Sequence, residues 1–192
     1  MTDKEVLECY EKTGGVLKGH FLLTSGRHSD TYMQSAKLFV QPAEATKIAC
    51  ALAEKLAPYK PEMVVAPAVG GIILGYELAK QLGVTDIFAE RENGEMTFRR
   101  GFELKKGTRV VVAEDVVTTG GSVKEVIALC KACGAEVVAC ASVVDRSNGK
   151  VGFDVPYVPL LSMEVKSWEP DECPLCKSGA AAPYKPGSRG VK

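Results

Sequence analysis

The chain has 192 residues, nearly half of them apolar and a quarter charged, which suits one soluble globular unit with a core that needs no covalent staples. Lysine plus arginine and aspartate plus glutamate stand at 24 each, so no global field draws it to nucleic acid or an acidic membrane, and any phosphate-binding charge has to be local. No stretch approaches the roughly 18 apolar residues of a membrane helix, and the polar N-terminus MTDKEVLECYEK lacks the apolar core of a signal peptide. The seven cysteines, odd in number and mostly set in apolar runs, read as buried thiols of a reducing, cytoplasmic compartment.

Thr2 and Glu5 have capping-box spacing and Gly14–Gly15 supplies a stop, which predicts a helix over residues 3–13. His20 to Leu23 and Thr31 to Met33 read as short strands, with a turn over Ser25-Gly26-Arg27-His28-Ser29-Asp30. Pro42 opens a second helix, with Ile48, Leu52 and Leu56 on one face. Four apolar runs follow: Met63 to Ala66, Ile87 to Ala89, Arg109 to Val117 and Val137 to Val144. Helices predicted over Ile72 to Leu82 and Ser122 to Cys133 alternate with them. That alternation predicts an α/β fold with a mainly parallel sheet covered on both faces. Ligands of such sheets bind beyond the carboxyl ends of the strands, here at Pro67–Gly71, Thr118–Ser122 and the segment after Asp145. A charged loop, Arg91 to Gly101, lies between the second and third runs. From about Glu164 the chain is rich in Pro, Gly, Ser and Lys, which predicts an extended tail wrapped on the surface.

The segment VVVAEDVVTTGGSV, Val110 to Val123, concentrates the chemistry. Glu114 and Asp115 stand near the end of an apolar strand, where buried acids need hydroxyl, cation or metal partners. Val116 and Val117 lead into Thr118 and Thr119, and Gly120 and Gly121 permit positive φ and close backbone approach to a ligand. Ser122 then opens a helix whose free N–H groups favour an anion. Acids for sugar hydroxyls beside amides for a phosphate describe a site for a phosphorylated ribose. No GxxxxGK[ST] and no helix-opening GxGxxG offers a competing nucleotide motif. An ordinary strand-to-helix turn would be the plainer reading of a lone TGG, but not of this whole sequence of features.

VVVAEDVVTTGGSV resembles the signature of the type I phosphoribosyltransferases. The resemblance implies that Glu114 and Asp115 hold the ribose 2′ and 3′ hydroxyls, that Thr118 to Ser122 wrap the 5′-phosphate, and that Asp115 counts among the catalytic groups. Nearly the whole chain is similar to the orotate-using branch in its shorter bacterial and archaeal form, as a single unit with a hood mainly over residues 1–40 and a tail over about 164–192. GHFLLTSGRHSDTYM (Gly19 to Met33) resembles the hood over the pyrimidine, which makes Ser25, Gly26 and Arg27 candidate orotate contacts. VVAPAVGGI (Val64 to Ile72) resembles the pyrophosphate loop, with Gly70 and Gly71. VVDRSNG (Val143 to Gly149) ends in Arg146, the leading orotate contact, with Thr118 as a second. Orotate carries a carboxylate, which a guanidinium fork matches and a neutral purine does not need. A plain ion pair with an acid such as Asp145 is the alternative for Arg146.

The implied reaction moves ribose 5-phosphate from phosphoribosyl diphosphate to orotate, giving orotidine 5′-monophosphate in pyrimidine biosynthesis. Magnesium carried on the substrate, rather than direct side-chain ligation, and a homodimer with a shared lid come with the resemblance. A purine phosphoribosyltransferase or a non-catalytic regulator on the same fold are the alternatives; zero net charge and no basic stripe count against nucleic-acid binding. Three places depart from the better known pattern. Arg91 opens the lid loop but no lysine or histidine follows, so Arg99 and Arg100 are assigned the cationic role, with a solvated charged hairpin as the alternative. Thr24 and Gly70 stand where some relatives carry lysines, leaving those contacts to backbone amides. Cys173-Pro-Leu-Cys176, with the Lys185 to Arg189 stretch behind it, resembles the tail of one branch. With Cys130 and Cys133 it could form a four-thiolate zinc site, although buried small residues or a tail disulfide explain the pairs as well. His20 and His28 are read as hood residues rather than metal ligands, and Trp168 as a packing anchor.

Overall fold

The computed structural model describes residues 1–23 and 25–186. The chain opens with α1 (Asp3–Lys12), whose Thr2 and Glu5 form the reciprocal capping box expected from their spacing. β1 (Val16–Leu22) and β2 (His28–Met33) pair antiparallel as a separate two-stranded sheet, the hood. Both strands are longer than their apolar runs suggest, because cross-strand pairing carries the polar residues Lys18, Ser29 and Thr31 along. A short helix α2 (Ser35–Phe39) leads to α3 (Pro42–Leu56), on which Ile48, Leu52 and Leu56 are fully buried.

The main sheet follows: β3 (Met63–Pro67), α4 (Gly71–Leu82), β4 (Thr85–Glu92), β5 (Glu95–Thr97), β6 (Arg109–Val117), α5 (Gly121–Ala132), β7 (Glu136–Asp145) and β8 (Tyr157–Ser162). Its strand order is β5-β4-β3-β6-β7-β8, parallel throughout except for β5. Successive residues of the central strands are buried on alternate faces of the sheet. Val64, Val111 and Ala113 pack with Ile48, Leu52, Leu74 and Leu78 from α3 and α4. Val65, Val110 and Val112 pack on the other face with Val123, Val126, Ile127 and Cys130 of α5. This period of two, apolar on both sides, makes the strands read as continuous hydrophobic runs.

β8 is absent from the sequence reading for a physical reason. Pro156 and Pro159 interrupt its pattern, and proline within a strand is tolerated only at a sheet edge, which is where β8 lies. The tail beyond it carries one further helical turn, α6 (Pro174–Lys177), and crosses the hood. His28 and Trp168 exchange backbone hydrogen bonds on one side, while Tyr184 accepts from Leu22 and donates to His20 on the other. Among the described residues no helix is long and apolar enough to cross a membrane.

Candidate active site

From β3 the chain moves outward to β4 and then returns to place β6 on the other side of β3. Such a reversal opens a crevice between the two strand ends, where ligands of open α/β sheets bind. The loops after β3 and β6 meet there. Gly70 lies so close to the Asp115 carboxylate that an added Cβ would stand 2.9 Å from its Oδ1. A lysine at position 70 would have to displace that acid, so Gly70 and Asp115 fit as a pair. The Ala68–Val69 peptide in the same loop is cis, and α4 starts two residues further on, at Gly71.

At the end of β6, Glu114 is buried and Asp115 half-buried, and the Asp115 Oδ1 accepts the Val116 N–H at 2.8 Å. Val117 remains in the core, while Thr118 and Thr119 are exposed. Gly120 takes φ +75°, turning the chain into α5, and no side chain caps that helix. Glu114, Val116, Val117, Thr118, Thr119, Gly120, Gly121 and Ser122 thus line one small concavity. It brings the Glu114 carboxylate together with hydroxyls and the N-terminus of α5, and Asp115 adjoins it in sequence, a combination suited to a ribose and its phosphate. The wider groove between α1 and α3, about 550 Å³, shares no lining residue with it. Of its four acids, Glu5 and Glu44 are engaged by Thr2, Lys12 and Lys47, and Glu8 pairs with Lys4.

Arg146 follows β7, and its backbone N–H donates to the Val117 carbonyl at 2.9 Å, which sets it beside the phosphate loop. The guanidinium stacks 6.0 Å from the Tyr32 ring of the hood. Its Nε is buried without a hydrogen-bond partner, and burial lowers the guanidinium's affinity for its proton. The neighbouring Asp145 does not pair with it. That carboxylate is fully buried and accepts from the N–H and hydroxyl of Ser147 and the N–H of Gly149, shaping the loop instead. Tyr32 was not anticipated from sequence; the only signal was an aromatic residue in a hood strand.

The other expected residues are more dispersed. Ser25 is exposed at the hood tip beside Gly26, which takes φ +82°. Arg27 is drawn to the tail, donating to Ser167 through Nε and Nη2 at 3.0 and 2.7 Å and pairing with Glu169. Thr24 lies outside the described residues, as does the tail from 187 onward, including Arg189. The Arg91–Gly101 segment begins as a β4–β5 hairpin whose turn, Asn93-Gly94, has positive φ at both positions, the Asn-Gly signature of a tight hairpin. Arg91 pairs with Glu125 at 2.7 Å, Arg99 with Glu92 at 3.2 Å and Arg100 with Glu90 at 2.9 Å, all near the surface.

The four-cysteine zinc set is not formed. Cys130 is buried in the α5 core, where burial pushes its thiol up to about 12, and Cys133 is exposed at the helix end. Cys173 and Cys176 instead face His20 and His28, the two histidines that the sequence reading set aside. The signal lay in their pairing across the hood strands, which the intervening sequence conceals.

Residues 35–171 match the family model described as "Phosphoribosyl transferase domain". The chain is 53% identical over 189 residues to the orotate phosphoribosyltransferase of Caldanaerobacter subterraneus subsp. tengcongensis, covering 98% of this chain and 99% of that one. It is 52% identical to the orotate phosphoribosyltransferase of Thermotoga maritima, over 97% of this chain and 100% of that one. Among solved structures, the orotate phosphoribosyltransferase of Aeropyrum pernix superposes with a TM-score of 0.70 at 26% identity, over 82% of this chain and 93% of that one.

Proposed function

The chain belongs to the phosphoribosyltransferase domain family, and from that premise we propose that it is an orotate phosphoribosyltransferase. The observation that carries this reading is Arg146: a guanidinium beside the phosphate loop, with its Nε buried and unpartnered and the hood tyrosine across its face. Orotate presents a carboxylate that satisfies such a group through paired hydrogen bonds, whereas a neutral purine would leave it wanting an acid. Thr118 and the hood tip at Ser25 and Gly26 complete the acceptor pocket in this reading. Arg27, held by Ser167 and Glu169, orients the hood and reaches the base only if those contacts yield.

The reaction breaks the bond from ribose C1 to the diphosphate oxygen of phosphoribosyl diphosphate and forms a bond from C1 to N1 of orotate. Glu114 and Asp115 hold the ribose hydroxyls, and their charge favours the positive character that develops at the ring. Val116 to Ser122 receive the 5′-phosphate on backbone N–H groups and hydroxyls. Gly70 and Gly71 bring the β3 loop's amides toward the diphosphate, with Arg91, Arg99 and Arg100 as the cations that meet it. The acids and hydroxyls at this strand end are hard oxygen donors, which suits a magnesium ion; when bound with the substrate, it neutralises diphosphate charge. Seven free thiols support a cytoplasmic setting. A homodimer with the hairpin shared between subunits accords with the exposed, protruding arginines.

The test is an ultraviolet assay of orotate consumption with phosphoribosyl diphosphate and magnesium, run beside adenine, guanine and xanthine. Orotate alone should be consumed; turnover of a purine, or of none, rejects the assignment. Arg146→Ala should raise KM for orotate by roughly tenfold or more while leaving that for phosphoribosyl diphosphate nearly unchanged, the loss of one charge-assisted contact. Equal effects on both substrates would remove Arg146 from the base pocket.

A further inference from the structure

Two histidines and two cysteines meet where the tail crosses the hood. His20 lies on β1, His28 on β2, and Cys173 and Cys176 flank the start of the last helical turn. Their four candidate ligand atoms all lie within 4.8 Å of one another, and among the described residues no other group of three or more such side chains forms. The His20 Nε2 to His28 Nδ1 separation is 3.0 Å. Cys173 and Cys176 Sγ stand 3.5 and 3.6 Å from His20 Nε2, and Cys176 Sγ stands 3.3 Å from His28 Nδ1. A tetrahedron with zinc–nitrogen and zinc–sulfur bonds of about 2.05 and 2.3 Å has edges of about 3.3 Å between nitrogens and about 3.6 Å between nitrogen and sulfur. The two sulfur separations from His20 Nε2 match the second value, while Cys176 Sγ to His28 Nδ1, at 3.3 Å, and the nitrogen pair, at 3.0 Å, are each slightly short of their ideal edges.

The tautomer agrees as well. The other ring nitrogen of His20, Nδ1, stands 2.8 Å from the Ala181 carbonyl. A carbonyl only accepts, so Nδ1 carries the hydrogen and Nε2 of the neutral ring is left with a lone pair aimed into the cluster. Orienting a metal-binding imidazole through a backbone carbonyl is the usual outer contact of such sites. The cysteines are free thiols, Cys173 is fully buried, and the pair has the two-residue spacing of a zinc knuckle.

We propose that His20, His28, Cys173 and Cys176 form a structural Cys2His2 zinc site that fastens the C-terminal tail to the hood. Four protein ligands leave no open position, so the ion acts as a clasp and not as a catalyst. A two-stranded hairpin is marginal by itself, and the clasp links positions 156 residues apart in the chain. It would hold Trp168 and Tyr184 in register on either side of β1 and β2.

The test begins with metal analysis of the untagged full-length protein, purified without chelator. About one zinc per chain is expected, falling to near zero in Cys173→Ser/Cys176→Ser and unchanged in Cys130→Ser/Cys133→Ser. Cobalt(II) added to chelator-treated, reduced wild-type protein should give the thiolate charge-transfer band and the intense visible bands of a tetrahedral site, a readout that needs no variant to fold. Chelation should raise hydrogen exchange at β1 and β2 before it affects β6. Wild-type protein that takes up neither zinc nor cobalt overturns the proposal. So does zinc retained by the Cys173→Ser/Cys176→Ser variant, or a Cys173–Cys176 disulfide in the protein as isolated. None of these outcomes depends on which base the enzyme uses.

Discussion

At Gly120 the chain has φ +75°, and an added Cβ would fall 2.8 Å from Val151 and 2.9 Å from Phe153. Only glycine combines that turn with that proximity, so Gly120→Ala should lower the unfolding free energy by about 1–3 kcal/mol. Thermal unfolding would register this together with a higher KM for phosphoribosyl diphosphate; an unchanged melting temperature would refute the packing argument. Asp115→Asn keeps the shape that fits against Gly70 but removes the charge. Its kcat should fall by roughly two orders of magnitude with circular dichroism unaltered, the scale for removing one preorganised electrostatic group. Asp86 concerns stability alone. Its Oδ1 is buried without a partner beneath Gly75 of α4, and burial raises the carboxyl from its ordinary value to about 7. The folded state therefore binds this proton more tightly than the unfolded state. The resulting stability is fully present below the unfolded pKa of about 4 and is lost as pH rises toward 7. Asp86→Asn should raise the melting temperature at about pH 8 and gain less at about pH 5; an equal gain at both would show that the carboxyl is not protonated in the fold. At this scale the sequence displayed Glu114, Asp115 and Gly120 well, because strand, turn and helix are contiguous there. It concealed the stacking of Arg146 on Tyr32, which depends on contact between distant segments, and the engagement of Asp145 by Ser147, a local turn that competes with an ion pair to Arg146.

Elements differ in how much of themselves the sequence exposes. β6 was legible to its ends because burial on both faces leaves an unbroken apolar run, and α3 was legible in its start at Pro42 and its buried face. β8 was hidden by its prolines, and the hood strands were shortened by the polar residues that pairing retains. The β4–β5 hairpin is an intermediate case, since Asn93-Gly94 announces the turn but not the use of the arginines beyond it. Arg99 pairs with Glu92 with both side chains about half exposed, and Arg100 pairs with Glu90 through an exposed guanidinium over a more covered carboxylate. Such pairs contribute about 0–1 kcal/mol each, so they are readily exchanged for a diphosphate. Arg99→Ala/Arg100→Ala should therefore leave the melting temperature within a few degrees of wild type while kcat falls and the diphosphate product binds more weakly. Loss of stability without loss of turnover would make the hairpin a structural surface and not a lid.

For the whole molecule, alternating strands and helices indicated the parallel sheet, and the sheet's reversal between β3 and β6 puts the candidate ligand crevice where the β3 and β6 loops meet. The tail was legible only as irregular chain, because its order comes from the hood: Arg27 holds Ser167 and Glu169, and His20 and His28 face Cys173 and Cys176. The exposed β4–β5 hairpin is the segment proposed to complete a second copy's crevice. In a symmetric dimer with shared lids, a subunit lacking Asp115 can still lend its arginines, and a subunit lacking the arginines can still offer its acids. Mixing Asp115→Asn with Arg99→Ala/Arg100→Ala and allowing subunits to exchange should then restore activity, since random pairing makes roughly a quarter of the sites wholly wild type. If each subunit instead closes over its own crevice, every site in the mixture keeps one defect and activity stays at the level of the separate variants. Recovery that appears only after exchange, and disappears when the subunits are cross-linked beforehand, would assign the hairpin to the partner's site.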